Sequence, residues 1–198
     1  MYLVSTKYIV GVDEAGRGPI AGPVAVGVAM VQEGFDILGT FPGLNDSKKL
    51  TEKKREALFQ ILQEEAKKGT VRVTVCLSSE KVIDGKGIAF AVRDALFRGV
   101  RKLMPDPEQG KVWLDGSLKA PPEYDQETVT GGDGIIPAIM LAALAAKVTR
   151  DRLMVRLAEE HSVYGFEQHK GYGTKAHYAA LIAHGPCAIH RATFLHLD

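Results

Sequence analysis

An α/β layer fold with a mixed sheet is predicted for this chain on three observations. Two valine-rich runs bounded by Gly and Pro, Tyr8–Val12 and Pro23–Val31, open the sequence as consecutive strands. Later, short strand-like runs alternate with stretches of helical period. The 198 residues, 45% of them hydrophobic, are enough for one sizeable core and suit a single domain spanning 1–198.

The elements follow in order. The loop "DEAGRGPIAG" joins the first two strands, and "PGLNDSKKL" is a polar, turn-rich connection. Thr51 is a helix N-cap; Leu58, Ile61, Leu62 and Ala66 lie on one face, and Gly69 ends the helix. "VRVTVCL" alternates with period two and reads as a strand. Ile88, Ala91, Val92, Ala95, Leu96, Val100 and Leu103 form a 3.6-residue stripe, hence a second helix. "KVWLD" is a short strand ending at Asp115, and "TVTGGDG" another, with Asp133 just past it. A long apolar helix runs from about Ile135 to Glu160. The tail gives a glycine-rich loop, then a helix capped by Thr174 and stopped near Gly185. No repeat, low-complexity segment or linker interrupts this order.

Composition narrows the function classes. A formal net charge of +1 argues against a polyanion binder that works by bulk charge, while leaving room for a local basic groove. The two cysteines, Cys76 and Cys187, are far apart, which argues against a disulfide framework or a zinc site and for a reducing compartment. The start, "MYLVSTKYIVG", has no basic leader, and the apolar stretch Ile135–Val148 is too short to span a bilayer. The expectation is a soluble, cytoplasmic protein.

Three strands end on acids: Asp13 with Glu14, Asp115, and Asp133. Asp and Glu are poor strand formers and repel when crowded. Strand ends in α/β sheets are also where sites are built. If the three ends converge, four carboxylates share one small volume, which cations would neutralise. An oxygen-only set suits Mg²⁺ or Mn²⁺ rather than zinc. Two such ions can activate water and stabilise the leaving oxygen of a phosphodiester. Singly, each acid also reads as an ordinary turn residue.

The loop Gly16-Arg17-Gly18 has two readings: glycines supplying positive φ in a tight turn, or close backbone approach to a ligand with Arg17 aimed at a phosphate. "HKGYGTKAH" is either a solvated loop or a nucleic-acid contact, with Lys170 and Lys175 flanking Tyr172, whose ring offers a stacking face. Lys48 joins the candidate phosphate contacts. His169, His177 and His190 match no compact metal motif and read as structural or surface residues.

Together these stretches resemble a known family, the bacterial type 2 ribonucleases H (ribonuclease HII). The matching segments are "GVDEAGRGPIAGPV", "LNDSKKLTEKKR", "VWLDG", Gly132-Asp133, "AAKVTRDRLM" and "GFEQHKGYGTKAHYAALIAHGPCAIHRATF", in the family's order from Val10 to about Phe194. The resemblance implies an RNase H-like fold, a central mixed β-sheet flanked by helices, with a small helical C-terminal part, roughly 162–198, that contacts substrate. It implies a metal-dependent endonuclease cutting the RNA strand of RNA/DNA hybrids and the 5′ side of ribonucleotides embedded in duplex DNA. The products would carry a 5′-phosphate and a 3′-hydroxyl. Asp13, Glu14, Asp115 and Asp133 match its catalytic acids, which would hold two Mg²⁺ or Mn²⁺ ions. Gly16, Arg17 and Gly18 match its junction-sensing loop, and Tyr172 its stacking tyrosine. A monomer is expected. The sequence departs from the family pattern at Gly132, where a lysine is usual, and at Ala138 and Ala143, where glutamate and serine are usual. These changes remove polar groups from the surroundings of Asp133 and motivate a rival, a catalytically silent hybrid-binding module. A second rival is a nuclease of the same fold acting on DNA alone.

Overall fold

Valine and its β-branched kin favour the pleated, half-buried surface of a sheet, and here they assemble five strands. In the computed structural model, which describes residues 7–196, these are β1 (Tyr8–Ala15), β2 (Val24–Gln32), β3 (Val71–Ser78), β4 (Gly110–Asp115) and β5 (Asp125–Val129). Expectations about the chain's first six residues and its last two fall outside the described residues. The strands lie in the order β3-β2-β1-β4-β5. β1 pairs antiparallel with β2, and β2 with β3; β4 runs parallel to both β1 and β5. This is the mixed sheet that the sequence predicts.

Among the described residues, seven α-helices join the sheet: α1 (Ile37–Thr40), α2 (Glu52–Lys68), α3 (Glu80–Lys86), α4 (Ile88–Leu103), α5 (Pro137–Glu160), α6 (Phe166–His169) and α7 (Lys175–His184). Thr51 caps α2 by accepting from the Lys54 amide, and Thr174 caps α7 by accepting from that of His177. Among the described residues, no helix is long and apolar enough to cross a membrane.

Alternation along the strands sorts the core into two layers. Val24, Val26, Val28 and Met30 of β2, with Val10, Val12, Val112 and Leu114, pack under Ala91, Val92, Ala95, Leu96 and Val100 of α4. Ala29 and Val31 face the other way, toward Leu58 and Leu62 of α2 and the alanine-rich α5. Gly11 and Gly27 also lie on that face. A Cβ at Gly27 would overlap the carbonyl oxygen of Ala142, and one at Gly11 that of Ala138. Backbone therefore meets backbone along the α5 seam. A third cluster, Ile20, Ala21, Met154, Ala158, Tyr164, Phe166 and Leu181, binds the tail to the end of α5 and to the loop after β1.

Two local expectations are corrected, and three short helices are added. β1 does not end at Val12: pairing of Asp13 with Gly27 and of Glu14 with Val26 carries it to Ala15. Tertiary pairing here overrides the low strand propensity of the acids. β5 stops at Val129, and Asp133 sits in a 3-10 turn, Gly132–Gly134, rather than at the strand's tip. The short helices α1, α3 and α6 carry too few turns for a periodic signal.

The α5 seam sets a stability test. Gly27→Ala should force the helix off the sheet and cost about 1–3 kcal/mol, lowering Tm by roughly 3–10 °C in a thermal melt. Gly18→Ala, where a Cβ would meet nothing within 4 Å, is the control and should leave Tm unchanged. Equal melting of the two variants would place α5 farther from the sheet.

Candidate active site

Side-chain alternation decides which acids meet. Val10 and Val12 face α4, so Gly11 and Asp13 face α5. In β4, Val112 and Leu114 face α4, so Asp115 also faces α5. The parallel register pairs Val12 with Leu114, which sets Asp13 and Asp115 side by side at the carboxyl ends of two strands. Strand order reverses here, and such switch points form crevices in α/β sheets. Asp133 arrives through the turn that leads into α5, and its amide donates to Asp115 Oδ1 at 3.3 Å. One carboxylate oxygen from each of Asp13, Asp115 and Asp133 lies within 4.8 Å of the others. Glu14, one residue on, takes the opposite side of the strand; its carboxylate accepts from Arg17 Nη1 at 3.3 Å.

The cluster is electrostatically uncomfortable. Burial, then the charge of Glu14, push the Asp13 carboxyl up to about 8, with Asp115 and Asp133 adding to the shift and the Glu14 amide opposing it. Lys48 relieves one partner: its ammonium donates to Asp133 Oδ2 at 2.9 Å, and that bond holds the Lys48 pKa above its ordinary value. The sequence reading put Lys48 on a phosphate; its side chain remains largely exposed while it makes this pair.

A cleft of about 300 Å³ opens over the acids. Its lining joins Asp13, Glu14 and Asp115 to Gly16, Arg17, Gly18, Lys48 and Tyr172, and adds Ser47, Ala143 and Lys147. Tyr172 is 44% exposed, and the Lys147 ammonium lies 6.0 Å from its ring centroid. Lys147 was not singled out in the sequence. Its spacing from Ala143, one helical turn, was the available signal.

Two buried arginines shape the loop, and the sequence reading missed both. Arg150 of α5 donates to the carbonyls of Pro23, Ala21 and Lys170 at 2.8, 3.1 and 2.9 Å. Arg191 donates to those of Gly22, Arg17 and Gly16 at 2.8, 3.0 and 2.7 Å. Neither forms an ion pair among the described residues. Burial lowers the pKa of both, Arg191 to about 9 with the neighbouring Arg150 charge contributing. Gly16 has φ +86°, and a Cβ there would overlap the Arg150 guanidinium. The carbonyls of Gly16 and Arg17 are held inward by Arg191, and the amides of Arg17 and Gly18 have no acceptor among the described residues.

The tail residues divide. Lys170, expected as a phosphate contact, is 8% exposed and its ammonium donates to the Glu167 carbonyl, so that it braces its own turn. Lys175 is exposed at the start of α7 and lies outside the cleft lining. Of the three departures, Ala143 lines the cleft, Gly132 directly precedes Asp133, and Ala138 is buried in the α5 seam. His177 and His190, read as structural or surface residues, are buried together with Nε2 atoms 3.0 Å apart.

The residues present fit divalent cations. The donor set is carboxylate oxygen alone, the chemistry of hard ions. The raised Asp13 pKa records burial first and then the charges of the neighbouring acids, and a bound cation would offset both.

A family model described as ribonuclease HII matches residues 10–197. The ribonuclease HII of Endomicrobium trichonymphae is 44% identical over 187 residues, 94% of this chain and 84% of that protein. Among solved structures, the ribonuclease H2 of Pyrococcus horikoshii OT3 superposes with a TM-score of 0.70 at 25% identity, covering 94% of this chain and 93% of that one. The ribonuclease HII of Archaeoglobus fulgidus, solved in complex with PCNA, gives 0.73 at 20% identity and covers 96% of each chain. The sheet with helices on both faces is thus the RNase H-like fold, and the chain, a ribonuclease H, belongs to the ribonuclease HII family.

Proposed function

We propose that this enzyme cleaves the RNA strand of RNA/DNA hybrids and the 5′ side of ribonucleotides embedded in duplex DNA. The observation that carries the reading is one cleft holding an acid cluster, a loop with outward amides and an exposed tyrosine. In the reaction, water oxygen bonds to phosphorus, the P–O3′ bond breaks and a proton passes to the departing 3′-oxygen. The products are a 5′-phosphate and a 3′-hydroxyl. Bound Mg²⁺ or Mn²⁺, two ions in the proposed complex, would supply the charge that activates water and stabilises the leaving oxygen.

The chain's own residues do the rest. Asp13, Asp115 and Asp133 hold the cations, and Glu14 completes the set from the cleft wall. The amides of the Gly16–Gly18 loop approach the ribose 2′-hydroxyl, the group that distinguishes RNA from DNA. Arg17, Lys48, Lys147 and Lys175 face the phosphates. Tyr172 stacks on the sugar of the next nucleotide, where a 2′-hydroxyl would clash, and so favours a ribose followed by a deoxyribose. The C-terminal segment, roughly 162–198, supplies Tyr172 and Lys175 and acts as the substrate-contacting part. The working unit proposed is a monomer. The free cysteines Cys76 and Cys187 suit a reducing cytoplasm, where such cutting starts the removal of ribonucleotides from DNA. The silent-module rival draws on Ala143, which removes a hydroxyl from the cleft wall, but all four acids are present.

Asp115→Asn keeps shape and removes a charged ligand. Because even supporting residues around metal ligands are worth roughly 10–100-fold, cleavage of an end-labelled duplex with one ribonucleotide should fall by more than about 100-fold in Mg²⁺ and in Mn²⁺. Near-normal turnover would move the metal site elsewhere, and a wild-type protein silent with both ions would favour the binding module. An all-DNA duplex run alongside tests the DNA-nuclease rival.

The raised Asp13 pKa makes metal-free stability depend on pH. Folded Asp13 keeps a proton that the unfolded chain releases, so its stabilising effect is complete below about pH 4 and is lost as pH rises toward 8. In EDTA, Tm should fall between pH 5 and pH 7.5. Asp13→Asn should flatten that slope and be more stable at pH 7.5 by about 1–3 kcal/mol, a figure discounted from ~1.4 kcal/mol per pKa unit. Parallel slopes for both proteins would remove Asp13 as the source.

Tyr172→Ala leaves every acid in place. It should lose at least about tenfold in kcat/KM on a single embedded ribonucleotide, in line with the ~1–3 kcal/mol carried by one aromatic stack. The loss on an all-RNA strand paired with DNA should be smaller. Equal losses would deny Tyr172 a role in reading the junction.

A further inference from the structure

Two neighbouring residues near the end of the chain each reach a different part of the cleft. Arg191 donates to the carbonyls of Gly16 and Arg17. His190 reaches Tyr172 through a second histidine: its Nε2 lies 3.0 Å from His177 Nε2, and His177 Nδ1 lies 2.9 Å from the Tyr172 carbonyl.

The protons in this chain can be placed from its ends. The Cys187 amide can only donate, and it points at His190 Nδ1 from 2.9 Å. His190 Nδ1 therefore accepts, and its ring proton sits on Nε2. The Cys187 carbonyl, 3.3 Å from the same nitrogen, already accepts from the His190 amide at 3.0 Å. His190 Nε2–H then donates to His177 Nε2, and His177 donates through Nδ1–H to Tyr172. Each ring has one donor and one acceptor, so the order holds only while both imidazoles are neutral.

The surroundings keep them neutral. His177 is fully buried and His190 nearly so. His169 stacks on His177 at 4.4 Å, and the rings of Tyr164 and Phe166 close around both. The Cys187 thiol lies 3.2 Å from His190 Nδ1. Burial, then the charge His177 would carry, bring His190 down to about 4, with His161 and His169 acting the same way. Burial, then His169, lower His177, against the bond to Tyr172.

We propose that His190 and Arg191 are positioning residues that hold the two substrate readers in register, His190 acting through His177 on Tyr172 and Arg191 on the Gly16–Gly18 loop. The proposal rests on the reading of those two elements as substrate contacts. Backbone bonds fasten the same junction: the Arg191 amide donates to Ile20 at 2.8 Å, and the Gly22 amide to Ile189 at 2.8 Å. The Ile20 and Ala21 amides donate to Gly171, beside Tyr172. A shift of one reader is thus carried to the other through residues 189–191.

The first measurement needs no variant and no substrate. Side-chain ¹H–¹⁵N correlation spectra of the full chain should show His190 as the Nε2–H tautomer and His177 as the Nδ1–H tautomer at neutral pH. The opposite tautomers, or a protonated ring on either residue, would overturn the relay. The second measurement is a double-mutant cycle on the embedded-ribonucleotide duplex. His190→Phe keeps the ring volume and removes both bonds, and should lower kcat/KM at least tenfold, with a smaller loss on the all-RNA hybrid. In a Tyr172→Ala background the same substitution should cost less than twofold, because the residue it acts through is gone. Losses that multiply would make His190 merely structural and overturn the proposal. Arg191→Lys, which keeps charge but loses the three-pronged reach, should raise KM on both duplexes at least threefold more than it lowers kcat. An unchanged KM would overturn the arginine half. If the wild-type protein cuts neither duplex, the functional reading itself fails, and the tautomers still judge the relay.

Discussion

Contact between the α5 backbone and the sheet is the constraint on which the rest depends. A helix held off by side chains can slide as rotamers change. One seated on Gly11 and Gly27 meets carbonyl oxygens that cannot rotate away. The site is then hung along this fixed rod. Asp133 comes just before its first turn, Ala143 and Lys147 border the cleft, Arg150 lies under the loop, and Met154 packs in the tail cluster. Residues 143, 147, 150 and 154 recur at helical spacing on one side and span about 16 Å at 1.5 Å per residue. One rigid element therefore relates the acids, the loop and the tail.

Two electrostatic strains lie along that rod, and the fold answers them differently. Arg150 and Arg191 are buried with no carboxylate partner among the described residues, yet each guanidinium meets three carbonyls. The planar fork makes this possible; a lysine ammonium has neither the reach nor the directions. The acids receive less. Lys48 reaches Asp133 from the surface, while Asp13 is left with a carboxyl pKa near 8. A strain fully answered by the protein is architecture, and one left open points to a ligand.

Much of this was legible in the sequence, for identifiable reasons. Period-two runs and the stripe of α4 gave the strands and the main helices, and Thr51 and Thr174 marked two helix starts. The acids stood out because they are misplaced in strands. Their division was less legible. Adjacent Asp13 and Glu14 read as one pair at a strand's end, but β1 continues through them and alternation sends them to opposite sides. That depends on pairing with β2 across a loop, a tertiary fact that composition does not carry. The arginines left no signal either. Arg150 and Arg191 look like surface cations in the sequence, and only contacts across 127 to 175 positions reveal them as the loop's anchors. Lys170 differs in the reverse sense: flanking an exposed tyrosine suggests a contact, but its side chain is buried and its ammonium is held by the Glu167 carbonyl.

The same contacts separate the two readings of the glycine loop. Gly16 answers an internal demand: its φ is left-handed, and the space where a Cβ would stand is filled by Arg150. Substitution there would strain the backbone and displace a buried charge together. Gly18 answers no such demand, since no protein atom lies within 4 Å of its Cβ position and its φ is not left-handed. Under the proposed function, the need for a bare backbone at Gly18 comes from the nucleic acid side. The turn reading therefore belongs to the first glycine, and under that proposal the close-approach reading belongs to the second. Arg17 between them has its carbonyl held by Arg191 and its guanidinium on Glu14, so the loop is fixed from below by the tail and from the side by the acid cluster's own neighbour.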